Sequence, residues 1–259
     1  MADFLDMLGR DAKQTVDAGY YRKAKPATRS ALSLKEAVLK CRRTPIISEI
    51  KVASPSYGTL KEKVNVKKVA LAMGKGGAVG ISVLTEPKHF RGSLEAFTKV
   101  RNQVRLPTLM KDIIISKEQI DAAAKMGADA VLLIEPLFKR GYCECSIHSM
   151  IHHAHSCNLE VILEAHTKEE FSSALETEAD LVGINNRDLK TLEVSLETTR
   201  GILEGNNAEE KLIISESGIQ TPADIRFLHE CGANAFLVGS SIMKAENIEE
   251  KVRELVSAL

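Results

Sequence analysis

Tryptophan is absent from this 259-residue chain, and the other aromatics are few: seven phenylalanines and four tyrosines. A core built from it is therefore mainly aliphatic. Net charge is missing too, because 35 Lys and Arg balance 35 Asp and Glu. Nucleic-acid and membrane-surface proteins need a basic field or patch to hold phosphates, so the balance argues against both partners. No apolar run approaches the length of a membrane span. The opening residues, MADFLDMLGRDAKQ, place acids where a signal peptide would carry bases followed by an apolar core. A cytoplasmic protein is expected. What is present is ordinary globular usage, 44% apolar and 27% charged, at a length that suits two small domains or one large one; single α/β barrels commonly reach about 250 residues.

A disulfide framework is also lacking. Cys41, Cys143, Cys145, Cys157 and Cys231 are odd in number and irregularly spaced, which suits a reducing compartment. Three of them sit among His148, His152, His153 and His155. Zinc sites usually leave two residues between paired cysteines, and Cys143-x-Cys145 leaves one. The Cys143, Cys145, His152 and His155 group is therefore expected to hold no metal, and to be a solvated helix with scattered His and Cys.

The stretch 46–58, IISEIKVASPSYG, is a buried-type strand that breaks into a loop. Side chains alternate along a strand, so Glu49 and Lys51 share one face. Charges on such a face are either a paired salt bridge at a strand end or working groups. Seven further β-type runs follow: VGISVLT, PTLMKD, ADAVLLI, LEVILEAH, ADLVGINN, KLIISESG and NAFLVGSS. Most are near-continuous Val, Ile and Leu, the pattern of parallel strands covered on both faces. Between them, helical spacing predicts helices such as 66–75, 116–126, 168–176 and 222–231. Three end in KGGAVG, KMGADA or ECGANA, where a glycine can turn left-handed before the next strand. Thr221-Pro222 supplies the opposite signal, an N-cap followed by proline.

Eight such units leave a closed (β/α)8 TIM barrel or an open doubly wound sheet. A glycine-rich dinucleotide fingerprint after the first strand would favour the open sheet, and Ser54-Pro55-Ser56-Tyr57-Gly58 is not one. The barrel is expected over 45–259. Residues 1–44, with helical stretches near 3–18 and 33–41, are expected to form a helical extension covering the barrel or its mouth.

Barrel strands deliver their C-terminal ends to one mouth. Those ends carry Glu49 and Lys51, Lys111, Glu164, Asn185 with Arg187, Glu216 with Ser217, and Gly239 with Ser240. Opposed acids and bases at a mouth suggest proton transfer. Ser217-Gly218-Ile219 and Gly239-Ser240-Ser241 follow the last two runs, where barrels commonly bind phosphate through backbone N–H groups. Each glycine could instead merely turn the chain. Together they point to a phosphorylated small molecule, gripped by the backbone at Gly218, Gly239 and Ser240 rather than by a dedicated arginine.

The segments EIKxASPSxG, ISVLTExxxFxGS, LxKDxII, ADAVLL, ILEAH, GINNRDLKTxEV, SESGI and AFLVGSSIM occur in an order and spacing that closely resemble indole-3-glycerol phosphate synthase of tryptophan biosynthesis. The resemblance runs from about residue 46 onward, and GINNRDLKT with SESGI is its most specific part. It implies a barrel enzyme that closes the indole ring of 1-(2-carboxyphenylamino)-1-deoxyribulose 5-phosphate with loss of carbon dioxide and water. By that resemblance Lys111 is the general acid and Glu164 a carboxylate serving dehydration. Lys51 and Glu49 orient and polarise the substrate, and Asn185 hydrogen-bonds it. Arg187 or Ser54 steadies its carboxylate, and Ser217 joins the binding set. It implies no metal or other cofactor; a monomer without a fused isomerase domain is expected. Two positions depart from the family pattern: Ile113 stands where an aromatic is usual, and Tyr57 where lysine is frequent. The rivals are a sugar-phosphate isomerase such as phosphoribosylanthranilate isomerase, which would lack the two inward lysines, and a catalytically silent barrel, which would have lost charged strand ends.

Overall fold

The computed structural model describes residues 3–27, 31–51, 53–54, 58–59, 64–206 and 211–259, with backbone alone at 53, 54, 58 and 59. Each of the eight apolar runs is a strand: β1 (Ile46–Ile50), β2 (Gly80–Leu84), β3 (Thr108–Lys111), β4 (Ala130–Ile134), β5 (Glu160–Ala165), β6 (Leu181–Asn185), β7 (Leu212–Glu216) and β8 (Ala235–Val238). All neighbours pair in parallel and β8 returns to β1, closing the barrel. The open-sheet alternative is thereby excluded.

Burial explains why these runs show little alternation of polarity. Val131 and Leu133 face the helices, in one apolar cluster with Phe97, Ile120 and Phe171. Leu132 and Ile134 face the barrel axis with Ile47, Leu109, Ile162 and Ile214. Both faces are covered, so both are aliphatic; each fully buried side chain of this kind contributes about 1.5–3 kcal/mol. The predicted helices are found at Val66–Gly76, Lys117–Lys125, Lys168–Leu175 and Pro222–Glu230, within a residue of the expected ends. Gly77, Gly127 and Gly232, one from each repeated phrase, have φ of +101°, +73° and +111°. Thr221 caps its helix through the Asp224 N–H, and Asp224 bonds back to the Thr221 N–H.

The segment before β1 contributes two helices, α1 (Phe4–Asp17) and α2 (Leu34–Leu39). They go to opposite ends of the barrel. At the N-terminal end, the Glu160 carboxylate accepts hydrogen bonds from the backbone N–H groups of Leu34 and Lys35 at 2.7 and 3.0 Å. Leu34 inserts beside Gly80, where a Cβ would lie 2.7 Å from its Cδ1. Nearby, buried Arg101 forms a two-pronged pair with Asp129 at 2.8 and 2.9 Å. At the other end, Phe4 and Leu8 of α1 look into the mouth. There α1 is held by Arg140, which grips Asp3 and Asp6 at 2.6 and 2.9 Å, and by the ring of Tyr142, close-packed on Gly9. Among the described residues, no helix is long and apolar enough to cross a membrane.

Candidate active site

The C-terminal mouth of the barrel holds a cavity of about 650 Å³. Its floor is charged. β3 ends on Lys111, whose ammonium contacts the Glu216 carboxylate of β7 directly and lies 3.6 Å from Glu164 and 3.8 Å from Glu49. Glu49 is paired in turn with Lys51 at 2.7 Å. Asn185 donates to Glu164 at 3.2 Å. All three carboxylates are at most 2% exposed. The strand period puts these groups on inward faces, and closure of the ring brings strands far apart in sequence within contact distance. The two interpretations of Glu49 and Lys51 thus merge: they form a salt bridge, and it lies within the acid–base cluster.

Burial opposes every charge here, so the pairings decide the ionisation. Burial would raise the Glu49 and Glu164 carboxyls, but Lys51 and Lys111 hold the first below its ordinary value, and Lys111 with His166 does so for the second. Burial dominates at Glu216, with Glu164 and Glu49 adding repulsion, and its carboxyl is raised despite Lys111. Lys111 is itself desolvated, yet its three carboxylates hold it firmly as an ammonium. A cationic acid with three carboxylates of unequal basicity each within 4 Å of its ammonium forms a proton-transfer set.

Around this floor the cavity is divided. One wall is apolar: Phe4 and Leu8 from α1, with Leu84, Phe90, Ile113 and Leu132. The opposite rim is formed by 217–221 after β7 and 239–241 after β8. Ser217 and Gly218 are both left-handed, with φ of +68° and +85°, a strained turn for a serine. Ser241 ties the two loops together by donating to the Ile219 carbonyl at 2.9 Å. Gly239 has a tighter constraint than the phosphate argument alone foresaw, since a Cβ there would lie 2.6 Å from Glu49 Oε1. Arg187 borders the cavity, and its guanidinium donates to the Leu192 carbonyl at 2.9 Å.

The structure thus brings Glu49, Lys51, Lys111, Glu164, Asn185, Arg187, Ser217, Gly218, Gly239 and Ser240 to one cavity. The Ser54 side chain and the whole of Tyr57 lie outside the described residues. Ile113 lies on the apolar wall beside Phe4 and Phe90, so aromatic rings reach the cavity from α1 and from the loop after β2. Sequence reasoning missed Glu86, which accepts from the N–H groups of Lys88, His89 and Phe90 at 2.8, 2.7 and 2.9 Å and so shapes the loop that carries Phe90. It missed buried Asp112, raised to about 7 by burial while accepting from Tyr21 and Thr85, and His166. The signal for Asp112 and Glu86 was an acid next to a buried run; Phe4 and Leu8 gave none. The helix Ile147–Ser156 carries the histidines, while Cys143 and Cys145 precede it and Cys157 caps its end; of the four residues flagged above, His155 meets the Asp180 carboxylate at 2.9 Å. Among the described residues, one trio of potential metal donors gathers, Asp121, His153 and Cys157, at the surface. The 2.8 Å Asp121–His153 contact accounts for that pair as a surface hydrogen bond.

A parallel eight-stranded barrel with an acid–base cluster and two glycine-bearing turns at its C-terminal mouth defines a barrel enzyme. Among solved structures of the same fold are thiamine phosphate pyrophosphorylase from Pyrococcus furiosus (TM-score 0.62, 21% identity, covering 85% of this chain and 96% of that one) and an N-acetylmannosamine-6-phosphate 2-epimerase from Clostridium perfringens (TM-score 0.61, 15% identity, 83% and 93%). Sequence comparison is more specific. The indole-3-glycerol phosphate synthase family model matches residues 10–255. The indole-3-glycerol phosphate synthase of Methanocaldococcus jannaschii is 42% identical over 229 residues, 87% of this chain and 83% of that protein. That of Alkaliphilus metalliredigens is 36% identical over 258 residues, 96% and 94%. The chain belongs to the indole-3-glycerol phosphate synthase family, which makes it a lyase of tryptophan biosynthesis.

Proposed function

We propose that this chain converts 1-(2-carboxyphenylamino)-1-deoxyribulose 5-phosphate to indole-3-glycerol phosphate, carbon dioxide and water at the mouth of the barrel. The observation that carries this reading is the placement of the Lys111 ammonium among Glu49, Glu164 and Glu216, between an apolar wall and the loops after β7 and β8. A substrate with an aromatic ring at one end and a phosphate at the other fits that division. The ring lies against Phe4, Leu8 and Phe90, and the phosphate takes the backbone N–H groups of Gly218, Gly239 and Ser240.

In this pose the ketone lies over the floor. Lys111 gives its proton to the ketone oxygen as the aromatic carbon attacks the carbonyl carbon, so no free alkoxide forms. The carboxylate then leaves as carbon dioxide, returning its electron pair to the ring system. Dehydration follows: the new hydroxyl leaves as water with a proton from the second ammonium at the floor, Lys51, and Glu164 takes a proton from the carbon beside the ring nitrogen as the indole double bond forms. Glu49 and Lys51 orient the substrate, Asn185 hydrogen-bonds it, and Ser217 borders its phosphate. Arg187, or Ser54, steadies the carboxylate until it leaves.

The test is to incubate the purified protein with that substrate and follow the fluorescence of the indole product. Product formation that is lost in Lys111→Ala supports the reading. Absence of product from the unsubstituted protein overturns it.

A further inference from the structure

His166 follows β5, two residues beyond Glu164, and its side chain is 9% exposed. It does not border the cavity. One ring nitrogen, Nε2, lies 3.2 Å from Glu164 Oε1, and the other, Nδ1, lies 3.5 Å from Glu170 Oε2. Neither contact has the alignment of a good hydrogen bond, but each ring nitrogen faces a carboxylate oxygen. Glu170 is fixed independently, because it also accepts the His166 backbone N–H at 2.7 Å and occupies the first turn of the helix Lys168–Leu175.

A neutral imidazole has one N–H and one lone pair. Set between two carboxylates, it would turn that lone pair toward an anion. Only the imidazolium presents N–H to both. Burial disfavours that charge, but Glu164 and Glu170 outweigh it and raise the ring to about 9. Lys111 lies beyond Glu164 at 3.6 Å, and Lys139 acts on Glu170 from the neighbouring helix.

We propose that His166 is a positioning residue: clamped as an imidazolium by Glu170, it keeps Glu164 ionised and aimed at the cavity while Lys111 gives up its proton. The inference rests on the reaction proposed above. Glu164 has two cations, and one is consumed when Lys111 acts as an acid. Without a second, Glu164 would recapture that proton or turn away, and the dehydration step would lack its base. His166 supplies the cation that the chemistry does not spend.

Three measurements decide it. In the resting enzyme, imidazole nitrogen NMR should show His166 doubly protonated at neutral pH and titrating well above an ordinary histidine. Glu170→Gln should move that titration, and the alkaline limb of kcat, to lower pH. His166→Gln should lower kcat by roughly tenfold to 10²-fold, with KM changing far less, and should remove that limb. A purely structural ion pair would shift Tm without reshaping the pH profile. Should His166→Gln fail to fold, Glu170→Gln carries the test alone. A neutral His166 at pH 7 overturns the inference, as does a variant whose kcat and pH profile match the parent's. An unsubstituted enzyme that forms no indole product signals failure of the reaction itself and is thereby distinguished.

Discussion

Replacing Lys111 with Met preserves an unbranched apolar stem and removes the charge around which Glu49, Glu164 and Glu216 are arranged. Stability and rate should respond differently. Removing one partner of a buried pair costs about 3–5 kcal/mol when the remaining charge stays ionised. Buried acids avoid part of that cost by binding a proton. Glu216 is already raised above its ordinary value and Glu164 owes its lowering first to Lys111, so the folded variant should hold at least one proton more than the parent at neutral pH. A group whose folded pKa exceeds its unfolded value supports the fold below the unfolded value and loses that support as pH rises through the folded one. The destabilisation should therefore grow by up to about 1.4 kcal/mol per pH unit on going alkaline. Near pH 8 a loss of about 3 kcal/mol corresponds to a Tm lower by about 6–12 °C, and near pH 5.5 the two melting curves should approach each other. The rate should not recover on acidification, since the missing ammonium is the acid: kcat should fall about 10²-fold or more, equivalent to about 2.7 kcal/mol or more of transition-state stabilisation. Thermal melts across pH and the fluorescence assay measure the two effects. Near-normal kcat would mean that another group, Lys51 first, delivers the proton; a pH-independent difference in Tm would refute the account of the carboxylates.

Gly218→Ala forces a side chain onto a φ of +85° and to within 2.7 Å of Val194 Cγ1, so it should raise KM for the phosphorylated substrate with a smaller effect on kcat; an unchanged KM would place the phosphate elsewhere. Gly239→Ala places a Cβ 2.6 Å from Glu49 Oε1, so both KM and kcat should deteriorate, and a pure KM effect would show that Glu49 has room to move without consequence. Elemental analysis should find no stoichiometric zinc; one equivalent, lost together with stability on chelation, would overturn the expectation for the His- and Cys-rich segment.

Much of the barrel was legible because its signals are local. Continuous Val, Ile and Leu in β4 and β5 announce strands buried on both faces, and the glycines that became Gly77, Gly127 and Gly232 mark the ends of helices by conformational need. Glu49 and Lys51 were legible by strand period. What could not be read was pairing between distant strands: that Lys111 of β3 touches Glu216 of β7 follows from ring closure, to which no local pattern refers. The two roles of the N-terminal segment were equally hidden. Leu34 and Leu8 are both buried leucines on helices before β1, yet one plugs the N-terminal end beside Gly80 and the other borders the cavity. His166 escaped notice because histidine at a strand end is unremarkable until two carboxylates are seen to flank it.

Gly239 illustrates how a residue can be placed at the barrel mouth from sequence and still be incompletely explained. Its place after β8 suggested a backbone free to approach an anion, and the structure does set it on the rim of the cavity. Its φ is −121°, a value open to any residue, so the backbone itself does not demand glycine. The demand comes from across the β1–β8 seam, where the Glu49 carboxylate occupies the space a Cβ would need. The loop that faces the proposed phosphate is thereby packed against the carboxylate that holds Lys51, with no flexible group between them. A substitution meant to test phosphate binding at Gly239 therefore also perturbs the acid–base floor, whereas Gly218, whose nearest neighbours are Val194 and Leu196, separates the two.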